Sequence, residues 1–175
     1  FGPLIPLAEV PASARAIADE FLARELAARA AGGLDEDGAP DYADPIELGP
    51  VAAYYHDHSV DEGRTPAYVE FKLIRVARKT APAAGALFGG GPEEPDPRPE
   101  AGYLMVSLTR NDVPMAGYAT QGTTRFERLL ARARGGNPVR LMRFDDVFMV
   151  AEDLAGRVVA NLGSAPYIPD PAVLE

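Results

Sequence analysis

The chain has 175 residues, 47% of them hydrophobic, with 26 acidic against 17 basic side chains and a formal net charge of −9. That balance argues against nucleic acid and anionic membrane surfaces as partners, because both are gripped by clustered Lys and Arg. With no Cys in the sequence, disulfides, a thiolate nucleophile and Cys-ligated metal are excluded.

The length suits one domain with a substantial core. Much of the hydrophobic content is Ala, so the core is expected from the scattered Leu, Val, Phe, Tyr and Ile. No apolar run reaches the roughly 18–20 residues that span a bilayer. A Cys-free, acidic, Pro-rich chain suits an oxidising exterior, and a secreted or cell-surface location is the expectation. The first residue is Phe1, which leaves a removed leader and an internal start both open.

Residues 1–12 hold several prolines among apolar side chains and read as an extended arm. Ser13 is placed to cap a helix running to about residue 31, with Ile17, Phe21, Leu22 and Leu26 at helical spacing and Gly32-Gly33 as its stop. Residues 34–50 form an acidic loop. Its Asp35, Asp37 and Asp41 are weak candidates for Ca²⁺, since hard cations take several oxygen ligands and Gly38 permits a sharp turn. The EF-hand spacing is missing, and a solvated loop is the competing reading.

Residues 51–58 read as a strand, placing His56 and His58 on one face. Two imidazoles at that spacing suit zinc, but no third ligand is evident. Residues 68–76 give the clearest strand, with Val69, Phe71 and Leu73 facing one way and Glu70 and Lys72 the other. The two strands suggest a hairpin, and the opposite parity of Ile74 and Val76 hints at a bulge. Residues 80–100 are rich in Gly and Pro and read as a flexible insertion. Its Leu87-Phe88 pair is a candidate adhesive spot.

Residues 102–122, GYLMVSLTRNDVPMAGYATQG, look like the centre of the domain. Leu104, Val106 and Leu108 alternate along a strand, Arg110-Asn111-Asp112 is turn chemistry, and Pro114, which cannot donate to a ladder, means that the strand over 115–119 either begins there or lies at a sheet edge. Thr124 with Glu127 fits a capping box for a helix through Phe126, Leu129 and Leu130, ended by Gly135-Gly136. Three short strands follow, over 139–144, 147–152 and 157–162. Residues 163–175 read as an extended Pro-rich tail.

The expected fold is α+β, an antiparallel sheet packed by an N-terminal helix and a second, shorter helix, making a single domain over residues 13–162. The sequence has no G-x-S-x-G elbow, P-loop or H-E-x-x-H, so the chain is expected not to be an enzyme and to carry no cofactor.

The segment Gly102-Tyr103-Leu104-Met105-Val106-Ser107, followed by Asp112-Val113-Pro114-Met115-Ala116-Gly117-Tyr118-Ala119 and Gly122, resembles a stretch of the propeptides of streptopain-type cysteine proteases and their stand-alone inhibitor relatives. The Ala-rich helix and the Tyr68-Val69-Glu70-Phe71 strand sit where that family places its own. The resemblance implies a secreted, cystatin-like domain that binds a protein and restrains a protease; no inhibitory residue is carried over.

Two alternatives stand beside this one. The apolar termini, with Phe1, Leu4 and Ile5 at one end and Tyr167 and Ile168 at the other, suit a structural subunit that self-assembles into a surface layer or filament by adding strands to a neighbour's sheet. The third is a hydrolase or metal-binding protein using His56, His58 and the loop carboxylates.

Overall fold

The computed structural model describes residues 2–30, 46–56, 65–75, 100–110 and 112–163. Its elements are β1 (Leu4–Ile5), α1 (Ala12–Ala30), β2 (Ile46–Tyr55), β3 (Tyr68–Arg75), β4 (Glu100–Ser107), β5 (Met115–Ala119), α2 (Arg125–Arg132), β6 (Arg140–Arg143), β7 (Met149–Glu152) and β8 (Val158–Leu162). The fold is α+β, as expected. The strands form one sheet in the order β5-β4-β3-β2-β6-β7-β8, with β1 also paired to β2. All pairings are antiparallel except β2 with β6, which run parallel.

Strand alternation gives the sheet two apolar faces. Val69, Phe71 and Leu73 of β3 join Leu104 and Val106 of β4 beneath α1, which packs through Ala14, Ala18 and Phe21. On the opposite face, Tyr54, Tyr68, Tyr103 and Met105 share a cluster with Leu129 of α2 and with Leu141, Met149, Ala151 and Val159. The two helices therefore cover opposite sides of the sheet. Both faces of β4 are buried, and residues 101–107 are all buried.

Several expectations are corrected. Alanine is core material here: Ala14, Ala18, Ala52, Ala101 and Ala151 are among the buried residues, because a methyl lets helix and sheet approach closely. The N-terminal segment pairs as a strand at Leu4–Ile5 and is interrupted by a 3-10 turn at Leu7–Glu9, with extended Pro6 and Val10 on either side of it. Ser13 is inside the first turn of α1, since the helix begins at Ala12, one residue after Pro11. Residues 46–50, assigned to the acidic loop, open β2.

The β3–β4 register shifts between Lys72 and Ile74, where the parity of Ile74 hints at a bulge, and a further bulge falls at Gly49-Pro50, where the register with β3 steps from Leu48↔Leu73 to Val51↔Phe71. That extra residue moves the core face from even to odd positions, so Ile46 and Val51 reach the same cluster. The 102–122 stretch is displaced from the centre: β5 is an edge strand, and β2 and β3 are nearer the middle.

Candidate functional site

The strand directions bring the β4–β5 loop, the β6–β7 turn and the end of β2 to one end of the sheet. β4, β2 and β6 finish there, while β3, β5 and β7 begin there. Arg143, the last residue of β6, holds this end together. Its side chain is 3% exposed and forms ion pairs with Asp112 of the β4–β5 loop at 3.4 Å and with Asp146 of the β6–β7 turn. Its guanidinium carbon lies 4.0 Å from the centre of the Tyr68 ring, a cation–π contact strengthened by burial. The Tyr68 hydroxyl donates to Asp112 at 3.0 Å.

Asp112 is the joint between loop and strand. Desolvation raises its carboxyl, but donation from the Val113 amide, the Tyr68 hydroxyl and Arg143 outweighs that and leaves its pKa below the ordinary aspartate value. In the other loop, Asp145 accepts from the Val147 and Phe148 amides at 2.8 and 2.6 Å, which closes an Asx-type turn. Phe144 stacks on Phe148 at 5.3 Å between ring centres.

The two loops are thus fixed from below while their tips carry exposed apolar side chains. Val113 is 63% exposed, Phe144 50% and Val147 65%. Val113 also borders a groove of about 460 Å³ formed with Ile17, Phe21 and Met115.

A second polar cluster lies on the α2 face. Glu70 projects from β3 and is 1% exposed. Its carboxylate accepts from the Tyr54 hydroxyl at 2.9 Å and from the main-chain amides of Arg125 and Phe126 at 2.8 and 3.0 Å. Burial pushes its pKa up, and the three donors with the nearby Arg125 charge offset only part of that. The Tyr54 hydroxyl is raised well above its ordinary value by burial and by Glu70. Thr124 and Glu127 complete the capping box of α2, and Lys72 pairs with Glu127. Every group in this cluster has a structural employer: Glu70 docks the start of α2 onto the sheet.

Of the residues singled out in the sequence, His56 follows β2, is exposed, and has Nδ1 3.1 Å from the Arg143 carbonyl. Its ring meets Tyr68 edge-on at 5.1 Å. Leu4 is 49% exposed, Ile5 packs against the α1 core, and both pair with β2 of their own chain. His58, Asp35, Asp37, Asp41, Phe1, Leu87, Phe88, Tyr167 and Ile168 lie outside the described residues. Among the described residues no group of three His, Asp or Glu is placed to hold a metal ion, and no helix is long and apolar enough to cross a membrane.

Sequence reasoning missed Arg143 and Glu70. The available signal was a charged residue at a core-parity position: Glu70 alternates with Tyr68 on a face that proves buried, and Arg143 follows Leu141 by two. Comparison with protein-family models, with curated proteins and with solved structures returned no match to this chain.

Proposed function

We propose that this chain is a non-catalytic extracellular protein-binding module, and that it binds through the loop end of the sheet. The observation that carries the reading is Arg143. A buried guanidinium pins two hairpin loops that hold Val113, Phe144 and Val147 in water. Apolar tips on loops fixed by a rigid scaffold are suited to recognition, because little ordering entropy remains to be lost when a partner docks. The buried Glu70 cluster docks the start of α2 onto the sheet, which supports a structural role for it over a catalytic one.

The partner class proposed is a protease, following the resemblance of the 102–122 stretch to streptopain-type propeptides. A cystatin-like relationship is part of the same proposal, supported by α1 lying along one face of a mostly antiparallel sheet. The test is inhibition of a streptopain-type cysteine protease by the purified chain, compared with a variant carrying Val113→Ser, Phe144→Ser and Val147→Ser. Slowing by the parent and not by the variant supports the reading. Equal slowing by both moves the site elsewhere, and no slowing or complex formation by the parent sinks the protease assignment.

A further inference from the structure

Beside the Arg143 brace, on the α2 face, lies an open pocket of about 240 Å³. Its lining includes Met105, Gly117, Tyr118 and Met149 together with Tyr103, Arg125, Arg143 and Asp146. A side chain at position 117 would fill part of it: a Cβ built on Gly117 meets nothing within 4 Å.

Two guanidinium groups from different elements line this one space. Arg125, the first residue of α2, donates through Nε to the Tyr103 hydroxyl at 3.1 Å, which orients the fork. Arg143 uses its terminal nitrogens on Asp112 and Asp146, while its Nε is buried and has no hydrogen-bond partner. A buried N–H without an acceptor is left with an uncompensated desolvation penalty, so an arginine in that condition beside a cavity suits a ligand that brings an acceptor.

Asp146 decides the chemistry. Its side chain is 81% exposed, yet its carboxylate sits on the Arg143 guanidinium at the pocket wall. The chain thus already places a carboxylate on this guanidinium, on a side chain that faces water. The volume is below the range of roughly 300–1,000 Å³ usual for drug-sized ligands, and the apolar part of the lining includes Met105 and Met149.

We propose that this pocket binds a small organic monocarboxylate. Its carboxylate displaces Asp146 and lies between Arg125 and Arg143 with the Tyr103 hydroxyl alongside, and its short apolar stem rests over Met105, Gly117 and Met149. A guanidinium fork matches a planar carboxylate with two parallel hydrogen bonds. The overall charge of −9 repels anions at long range, so binding depends on these contacts and not on steering.

The probes are hexanoate and its neutral counterpart hexanamide, titrated into the full chain and followed by amide chemical shifts and calorimetry. Saturable hexanoate binding is expected, with shifts at Gly117, Tyr103 and Arg125, and with hexanamide at least about tenfold weaker, the order for a charged hydrogen bond. Arg125→Gln should weaken hexanoate by about tenfold or more on the same ground, and Asp146→Asn should tighten it by removing the competing carboxylate. Both side chains are partly or largely exposed, so both variants should fold, which circular dichroism checks. Equal affinity for the two probes, unchanged affinity in Arg125→Gln, or no saturation by about 10 mM, well above a millimolar Kd, would overturn the proposal. These readouts need no protein partner, so their failure is separate from failure of the loop-end reading.

Discussion

Glu70 and Arg125 are 55 positions apart, and the carboxylate of Glu70 accepts the main-chain N–H of Arg125 at 2.8 Å. The first N–H groups of a helix have no partner within it, and the partial positive charge of that end favours an anion. Here the anion comes from the middle of the sheet. In Glu70→Gln, one oxygen can keep Tyr54 and Phe126, but the amide nitrogen faces the Arg125 N–H, donor against donor. The expected loss is about 1–3 kcal/mol, read from denaturant midpoints. A loss below a few tenths would mean that Glu70 does not dock α2.

Gly102 sits in β4 with φ +92°, and a Cβ there would lie 1.9 Å from the carbonyl oxygen of Ala119. Its N–H donates to Gly122 at 3.0 Å. The obstacle is backbone of the adjacent strand and cannot rotate away. Gly102→Ala should therefore exceed the usual 0.5–3 kcal/mol range of point substitutions, by roughly 1 kcal/mol or more, and detach β5. Loss of amide-exchange protection confined first to residues 115–119 is the signature to look for.

The two hidden polar anchors define how far the sequence could be read. Alternation in β3 and β4 and the Thr124–Glu127 capping box are local patterns, and they appeared where expected. The edge position of β5 was one of the two places that Pro114 allowed. The burial of Glu70 was not visible, because whether a polar face of a strand meets water depends on α2, which arrives 55 residues later. Arg143 looked like an ordinary surface residue because its partners, Asp112 and Tyr68, are brought in by pairing across the sheet. The parallel β2–β6 contact was invisible for the same reason: no turn connects those strands.

Asp112 gives the loop end a definite pH response. Its folded pKa is lowered by the Val113 amide, Tyr68 and Arg143, which outweigh desolvation. Its contribution is therefore present above the ordinary value of 3.8 and is lost as pH falls through the depressed folded value. Asp112→Asn should be less stable than the parent at neutral pH, and the gap should close as the pH drops below 3.8. Glu70 has the opposite sign. Its pKa is raised, so its contribution is full below 4.5 and is lost as pH rises through the folded value. The Glu70→Gln gap should accordingly widen on mild acidification while the Asp112→Asn gap narrows. Parallel pH profiles for the two variants would contradict both assignments.

The loop-end side chains should separate binding from stability. Val113, Phe144 and Val147 are at least half exposed, so replacing all three with Ser removes little buried area; surface changes of this kind usually shift stability by about 0.5 kcal/mol or less each. Phe144 is the exception to watch, since it stacks on Phe148, and its share should dominate any shift in melting temperature. Arg143→Met is the contrasting variant. It leaves the three apolar tips in place but removes the ion pairs that join the two loops, leaving Asp112 with only the Tyr68 hydroxyl and the Val113 amide, so it should cost stability and lower affinity for a partner that reads the loops as a fixed pair. If the Ser variant loses binding at unchanged melting temperature and Arg143→Met loses both, the tips are the contact and the guanidinium is their support. If Arg143→Met binds as well as the parent once its folded fraction is allowed for, the two loops do not need to be held together, and the binding surface must be sought on another face.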